Sequence, residues 1–192
     1  MEGIMIIEDI SEKDIEQALS IYNYYVKNTA ITFDYNIQTI DDFKAKVKEI
    51  SKKYPYLVAK ENNKVVGYAY AGPFVGRDAY NHSCELTIYL DNKEKGRGVG
   101  KKLYSKMEQI LRQMGIMNLY SCIAYPDKDD EYLTSNSRDF HKHLGFTQVG
   151  YFNKCGYKFN RFYNMVWMEK IIKNPKDKVK VISYIDLKNL NK

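Results

Sequence analysis

Three glycines within five residues separate a strand-like segment from a helical pattern in this chain. They lie in the run 95–102, Lys-Gly-Arg-Gly-Val-Gly-Lys-Lys, directly after the strand-like residues Leu86–Leu90. Glycines let a backbone approach an anion with its N–H groups exposed, and the following helix adds its positive dipole end. With Arg97 and lysines at both ends, the run predicts a pyrophosphate-binding loop. A glycine-rich turn with a purely structural role is the alternative.

Two common phosphate-binding motifs do not fit this run. A nucleotide-triphosphate loop needs glycine at position 95 and serine or threonine at position 102, and both positions hold lysine. A dinucleotide-binding fingerprint needs a third glycine at position 101 or 103, where the chain has Lys101 and Leu103. The expected ligand is therefore a different polyanion that carries a pyrophosphate.

Composition and charge narrow the class of protein further. The 192 residues, of which 44% are hydrophobic and 28% charged, are expected to form one domain with its own core. The formal net charge is +6, and the segment 173–192 carries +4 of it as six lysines against two aspartates. We interpret this segment as a solvated, lysine-rich extension and expect no nucleic-acid partner.

The sequence shows no membrane span, no signal peptide and no metal motif. No apolar run reaches the roughly 20 residues that cross a bilayer, and the first residues lack a basic region followed by an apolar one, so we expect a cytoplasmic protein without a membrane partner. Cys84, Cys122 and Cys155 are widely spaced and outside any Cys/His cluster, which predicts reduced thiols and no metal.

Hydrophobic periodicity predicts a mixed α/β (α+β) domain over residues 1–172. Helix starts are expected at Ser11 and Thr39, each followed three residues later by an aspartate. Two adjacent asparagines at 62 and 63 predict a β-hairpin. The other expected elements are strands at 5–8, 82–90, 118–125, 147–151 and 164–172, and helices after the glycine run and at 135–144.

Several motifs occur together in the order of a known family. They are Gly72-Pro73-Phe74, Arg77, Ala79-Tyr80, Glu85, the glycine run, Phe140-His141-x-x-Leu144-Gly145-Phe146 and Gly156-x-Lys158-Phe159-x-Arg161. Over residues 4–171 the chain resembles the phosphinothricin acetyltransferase branch of the GCN5-related N-acetyltransferase (GNAT) superfamily. The resemblance implies a central mixed, largely antiparallel sheet flanked by helices. It also implies transfer of an acetyl group from acetyl-CoA to a primary amine.

The resemblance assigns residues to coenzyme A. Strand residues Ile88, Tyr89 and Leu90 would meet the pantetheine arm as an added strand would. The loop residues that would donate N–H groups to the pyrophosphate are Gly96, Arg97, Gly98, Val99, Gly100 and Lys101. Where the family has an asparagine that contacts coenzyme A, this chain has Thr134, with Asn136 nearby, so either is a candidate for that contact.

Two candidate catalytic residues follow from the same resemblance. Glu85 matches the acidic residue on the strand that enters the acetyl-CoA site and is the expected general base. His141 replaces a tyrosine that protonates the departing thiolate in many members of the superfamily. The alternatives are a solvated or salt-bridged Glu85 and a His141 that only binds or packs.

Residues in two segments and one helix residue are expected to bind the acceptor. The candidates are Phe33 between the first two helices, loop residues Arg77, Asp78, Ala79 and Tyr80, and His143. Arg77, Lys158 and Arg161 are the cations expected to pair with a substrate carboxylate. Simple packing of Phe33 and Tyr80, and a surface position for His143, are the alternatives.

We therefore expect an N-acetyltransferase that acts on a small amine, an amino acid or amino-acid-like toxin of the phosphinothricin or methionine sulfoximine type. Transfer would be direct within a ternary complex, because no cysteine matches a nucleophile position. The resemblance also implies a homodimer. Two alternatives stay open: acetylation of a protein N-terminus or lysine, and a non-catalytic coenzyme A sensor.

Overall fold

The computed structural model describes residues 4–94, 96–174 and 180–190, which form one seven-stranded sheet and five α-helices. The strands are β1 (Ile6–Asp9), β2 (Tyr56–Glu61), β3 (Lys64–Pro73), β4 (Ser83–Leu90), β5 (Asn118–Tyr125), β6 (Thr147–Lys158) and β7 (Arg161–Ile171). The helices are α1 (Ile15–Asn28), α2 (Ile40–Ser51), α3 (Val99–Gln113), α4 (Asn136–His143) and α5 (Tyr184–Leu190). No helix in these described ranges is long and apolar enough to cross a membrane.

The sheet has the order β1-β2-β3-β4-β5-β7-β6, and only β4 and β5 run parallel. This confirms the expected mixed, largely antiparallel architecture. The hairpin between β2 and β3 turns on Asn62 and Asn63, both at positive φ, as their tolerance of left-handed geometry predicts. Thr39 caps α2 by accepting a hydrogen bond from the Asp42 N–H, as its spacing predicts.

Helices cover both faces of the sheet and bury two separate apolar clusters. Helices α1 and α2 pack on one face over Tyr56, Val58 and Tyr68. Helix α3 packs on the other face over Ala69, Leu86 and further apolar residues of the strands. Successive residues of a strand alternate between these faces, so β2 and β3 each contribute buried residues to both clusters.

The parallel pair β4 and β5 is hydrogen-bonded over only three residue pairs. Its register runs from Ser83 opposite Asn118 to Glu85 opposite Tyr120 and then stops. Both strands continue for several residues, and each stays paired on its outer side, β4 with β3 and β5 with β7. The sheet therefore opens into a wedge beyond Glu85.

Strand β6 and the hairpin that follows it are longer than the sequence predicts. Residues 152–163 were not expected in strands, yet β6 extends to Lys158 and β7 begins at Arg161. The turn uses Phe159 and Asn160, both at positive φ. Phenylalanine is an unusual residue for that conformation, and its ring stacks on Tyr132 with centroids 4.1 Å apart. The stacking stabilises Phe159 in this unusual conformation. The sequence pattern alone does not predict this turn.

The described part of the C-terminal segment packs on the domain. Helix α5 buries Tyr184 and Leu187 in the same cluster that α3 covers. The Tyr184 hydroxyl donates to Asp9 at 2.7 Å, and Lys188 also contacts Asp9 at 3.1 Å. The predicted boundary near Pro175 lies outside the described residues, and the division at residue 172 stays a prediction.

Candidate functional site

A cleft of about 530 Å³ occupies the wedge between β4 and β5. Its walls come from the diverging halves of the two strands, including Thr87 and Ile88 on β4 and Cys122 and Ala124 on β5. Side chains from both faces of the sheet also contribute: His141 of α4 on one face and Lys46 of α2 on the other. The cleft therefore crosses the sheet and connects its two faces.

The inner edge of β4 gives this cleft a backbone wall. Beyond Glu85, the β4 backbone is paired with β3 only, so it faces the cleft in the manner of an open sheet edge. Such an edge binds an extended, amide-bearing ligand as an added strand. Ile88 and Tyr89 line the cleft as expected, whereas the Leu90 carbonyl accepts a hydrogen bond from the Tyr25 hydroxyl at 2.7 Å.

The glycine run forms the predicted loop at the start of α3. Gly96 and Gly98 have φ values of 78° and 77°, and Gly98 is the N-cap. A Cβ on either would meet open space, so the loop surface is accessible. Gly100 lies in the first turn, where a Cβ would come within 2.9 Å of the Phe140 ring. The N–H groups of the first helical turn have no acceptor inside the helix and are suited to an anion.

Arg97 was expected as a free cation of the loop, whereas in the structure its charge is paired. Its guanidinium pairs with Glu94 and, at 2.8 Å, with Glu61. Both carboxylates offset the positive charge that Arg97 brings to the loop. Lys95 lies outside the described residues, and Lys101 is exposed in the first turn of α3. The backbone N–H groups and the α3 dipole are the candidate anion-binding groups of the described loop.

Glu85 lies where β4 and β5 separate, and its carboxyl lines the cleft. Its side chain is on the α1 and α2 face of the sheet, since Leu86 belongs to the opposite cluster. Burial raises the pKa of the Glu85 carboxyl above its usual value. It forms no ion pair within the described residues. A carboxylate with a raised pKa in a cleft is suited to accept a proton.

His141 lines the opposite side of the cleft and is 3% exposed. Its Nδ1 lies 2.7 Å from the Ser137 carbonyl and its Nε2 lies 3.0 Å from the Tyr104 hydroxyl. Burial lowers the pKa of the imidazole to about 4, so the ring is neutral at neutral pH. The expected role as an acid for the thiolate does not fit this arrangement, because the one ring proton is bound to a carbonyl.

Tyr104 and Ser121 were not expected at the site, and both line the cleft beside His141. Tyr104 projects from α3 and Ser121 from β5, so the sheet and helix bring them together. The Ser121 hydroxyl is buried and has no hydrogen-bond partner among the described residues. A buried, unpaired hydroxyl that lines a cleft is positioned to bond a polar group of a ligand.

Phe33 lines the cleft from the α1 and α2 face, as expected. Lys46 lines it from the same face and was not expected there. A Cβ on Gly156 would overlap the Phe33 ring, so this glycine allows Phe33 to pack against β6. The Lys46 ammonium lies 5.5 Å from the Tyr22 ring centroid and 5.0 Å from that of Tyr70. A sequence signal for Lys46 exists: it lies three residues after Phe43, on the buried stripe of α2.

Several expected substrate and coenzyme residues do not line this cleft. Leu90 and the loop residues Gly96, Arg97, Gly98, Val99, Gly100 and Lys101 are not among its lining residues. Seven further residues outside the lining are Arg77, Asp78, Ala79, Tyr80, Thr134, Asn136 and His143. All seven are exposed, and the Tyr80 ring packs edge-on against Phe74 at 5.8 Å.

Lys158 and Arg161, the other expected carboxylate partners, have protein partners. The Lys158 ammonium donates to the carbonyls of Thr29 and Thr32, each at 2.8 Å. Arg161 pairs with Asp130 at 3.0 Å and Glu131 at 2.8 Å. Neither cation is therefore free to bind a substrate carboxylate in this arrangement.

Two cysteines, Cys122 and Cys155, line the cleft. The described residues contain no group of three or more Cys, His, Asp or Glu side chains suited to a metal. Burial raises the pKa of the Cys122 thiol to about 11, so its reactive thiolate is scarce at neutral pH. Cys155 is the second cleft cysteine, and it lies in the irregular part of β6.

The sheet opens at the parallel pair β4 and β5, with the half-buried Glu85 at the opening and the glycine loop at the start of the next helix. The model of the acetyltransferase (GNAT) domain family matches residues 7–167. The chain therefore belongs to the GNAT acetyltransferase family and is an N-acetyltransferase of the phosphinothricin acetyltransferase-like branch.

Individual relatives agree with this assignment. A phosphinothricin N-acetyltransferase of Streptomyces coelicolor is 29% identical over 163 residues, which are 83% of this chain and 91% of the relative. An L-methionine sulfoximine/L-methionine sulfone acetyltransferase of Salmonella typhimurium is 29% identical over 168 residues, 86% of this chain and 93% of the relative. The crystal structure of a phosphinothricin acetyltransferase from Sinorhizobium meliloti in complex with acetyl-CoA has a TM-score of 0.80 and 26% identity, with 91% and 95% of the two chains covered.

Proposed function

We propose that this protein transfers the acetyl group of acetyl-CoA to the primary amine of a small molecule, an amino acid or an amino-acid-like compound. One observation carries the proposal: the cleft crosses the sheet at the β4–β5 wedge, with Glu85 at its vertex. A donor that enters from the α3 and α4 face and an acceptor that enters from the other face meet there. Direct transfer within a ternary complex needs this arrangement.

The donor side is built mainly from backbone. The open edge of β4 around Ile88 would bond the amides of the pantetheine arm. Gly98 and the first turn of α3 would bind the pyrophosphate. Ser121 would use its unpaired buried hydroxyl to bond a polar group of the thioester end. These residues fit acetyl-CoA, which supplies an activated thioester to the reaction.

Glu85 would take the proton that the acceptor ammonium loses before attack. Its raised pKa brings its basicity closer to neutral pH than that of an ordinary carboxylate. A thiol with a pKa near 8.5 is a good leaving group, so a strong acid is not required. His141 would act as a positioning residue, because its Nε2 holds the Tyr104 hydroxyl in place.

The acceptor class rests on the relatives and on the charges of the cleft. Relatives that cover most of the chain are named for phosphinothricin, L-methionine sulfoximine and L-methionine sulfone. Of the residues that the structure describes, the cleft lining has one carboxylate, Glu85, and one ammonium, Lys46. A small zwitterion complements this pair of charges. The homodimer and the cytoplasmic location stay predictions.

The test is release of free coenzyme A thiol from acetyl-CoA with a panel of acceptors. The panel contains the common amino acids, phosphinothricin, methionine sulfoximine, methionine sulfone, polyamines and short peptides. We expect turnover with amino-acid-like compounds and little with peptides. Preferred turnover of peptides would support the protein-acetylating alternative instead. Coenzyme A binding without turnover of any amine would support the non-catalytic sensor.

A further inference from the structure

Among the described residues, Lys46 is the one ammonium that lines the cleft, and no carboxylate there lies within ion-pair distance of it. The ammonium lies over the faces of Tyr22 and Tyr70, which attract a cation through their π-electrons. Aromatic faces hold the ammonium in place without neutralising its charge. The three N–H donors of Lys46 therefore keep their capacity for an anion.

Register places this ammonium on the same face of the sheet as Glu85. Tyr70, which lies under Lys46, is paired directly with Thr87 on β4. Thr87 and Glu85 are two residues apart on that strand, so their side chains share a face and lie about 7 Å apart along it. The acid and the ammonium thus border one acceptor space from two sides. Thr87 lines the cleft between them.

The other cations that were expected to bind a substrate carboxylate either have protein partners or do not line the cleft. Lys158 is held by two backbone carbonyls and Arg161 by two carboxylates. Arg77 is exposed and does not line the cleft. Within the described residues, Lys46 is the cation that reaches the acceptor side.

We infer that Lys46 is a substrate-binding residue: its ammonium binds the carboxylate of the acceptor while the acceptor's amine faces Glu85. This inference rests on the proposed function and deepens it, because it names the anionic group that the acceptor must carry. An amino acid has its amine and carboxylate on one carbon, and it fits a cleft with the complementary charges close together. An amine without an anionic group leaves Lys46 unpaired.

The test compares an amino acid with its own carboxamide. The pair is the amino acid of highest kcat/KM in the acceptor panel and the corresponding amide, assayed with wild type and the Lys46→Met variant. Methionine keeps the unbranched stem that packs between the two tyrosines and removes the charge. We expect kcat/KM for the amino acid to fall about 10- to 100-fold, the range for a hydrogen bond to a charged group, and that for the amide to change little. The amine of the amide is less basic than the amine of the amino acid. This difference cancels, because kcat/KM for each acceptor is compared between wild type and the Lys46→Met variant.

Two further variants control for charge and folding. Lys46→Arg keeps the charge and should retain most of the discrimination between the acid and the amide. Lys48→Met makes the same change at an exposed position of α2 and should leave both acceptors unaffected. The KM for acetyl-CoA should be the same in all four proteins, since the donor binds from the other face.

A calorimetric titration of the same two acceptors into the coenzyme A complex measures binding without turnover. Tighter binding of the acid than of the amide, lost in Lys46→Met, supports the inference. Equal losses for both acceptors in Lys46→Met, or no loss for the acid, would overturn it while leaving the proposed function intact. Absence of any turnover by wild type would instead refute the proposed function, and the role of Lys46 would then be decided by titrating the amino acid of the panel that binds most tightly and its carboxamide.

Discussion

The hydroxyl of Tyr104 donates its proton to Nε2 of His141, and the direction of this hydrogen bond is fixed by a third group. The Ser137 carbonyl can only accept, so the His141 ring proton must lie on Nδ1, 2.7 Å from that carbonyl. In the neutral ring Nε2 then carries the lone pair and accepts from Tyr104 at 3.0 Å. Protonation of His141 would bury a positive charge and would require the Tyr104 hydroxyl to turn from donor to acceptor.

The stability of the protein should therefore fall when His141 is forced to take a proton. Burial lowers its folded-state pKa from 6.5 to about 4, so the unfolded chain binds a proton first as the pH falls. The contribution of the neutral ring is complete above pH 6.5 and is lost between about pH 6.5 and pH 4. The expected loss is about 3 kcal/mol.

Urea unfolding of wild type and His141→Gln from pH 7.5 to pH 4 measures this loss. Glutamine does not titrate, so the difference between the two proteins isolates His141 from the carboxyl groups. The difference in unfolding free energy should shrink or reverse towards pH 4. A difference that is constant with pH would contradict the neutral, buried imidazole.

Glu85→Gln should remove most of the activity without removing coenzyme A binding. Glutamine keeps the shape of the side chain and cannot accept the proton from the acceptor amine. We expect kcat to fall about 10²- to 10⁴-fold, the usual contribution of a general base. Because burial raises the Glu85 pKa, activity of wild type should rise with pH on a limb displaced above the ordinary carboxyl range. A Glu85→Gln variant with unchanged kcat would exclude Glu85 as the base.

Gly98 should tolerate a neutral side chain far better than an acidic one. The positive φ of 77° strains any L-residue, and that strain is equal in Gly98→Gln and Gly98→Glu. Only the glutamate adds a negative charge beside the expected pyrophosphate. Titration with coenzyme A should give a Kd at least about tenfold higher for the Glu variant than for the Gln variant. Equal affinities would show that the pyrophosphate binds elsewhere.

Lys158 should contribute to stability as a buried donor, although the sequence motif suggested a substrate contact. It is 3% exposed, and its ammonium satisfies the carbonyls of Thr29 and Thr32 in the segment that leads to Phe33. Lys158→Met leaves both carbonyls unpaired and should lower the unfolding free energy by about 2 kcal/mol. Lys154→Met, on the exposed part of β6, is the control and should be near neutral. Loss of activity at full stability would contradict this structural role.

Helix α5 offers a matched pair of leucines for a test of the C-terminal segment. Leu187 is 8% exposed and packs in the α3 cluster, whereas Leu190 is 75% exposed. Leu187→Ala should cost about 2–5 kcal/mol of unfolding free energy and Leu190→Ala under about 0.5 kcal/mol. Chemical denaturation measures both. Equal, small effects would mean that α5 does not pack in solution.

Local sequence patterns predict the structural elements that are stabilised by residues close to one another in the sequence. The Thr39 cap, the Asn62-Asn63 hairpin, the glycine loop and the apolar stripe of α3 each depend on a few neighbouring residues, and the structure contains all of them. The start predicted at Ser11 opens a short 3-10 turn, and α1 itself begins at Ile15. The turn at Phe159 and Asn160 depends on stacking with Tyr132, which is remote in sequence. The packing of α5 similarly depends on Asp9, at the other end of the chain.

The residues of the candidate site also fall into two groups: those that local motifs predict and those that only the folded sheet brings together. Glu85 and Gly98 lie within or next to recognisable motifs, so sequence reasoning found them. Tyr104, Ser121 and Lys46 belong to three different elements that meet only when the sheet is assembled. The motif cations Lys158 and Arg161 were assigned to substrate because a sequence does not reveal which partners a charge will find.

Under the proposed function, the wedge between β4 and β5 divides the cleft into a donor half and an acceptor half of different chemical make-up. The donor half would consist largely of backbone groups, which most substitutions leave unchanged. The acceptor half would consist of side chains from α2 and the α1–α2 segment, each of which a single substitution can replace. A change of acceptor would then require only substitutions in the acceptor half, whereas a change that closed the wedge would remove both halves of the site.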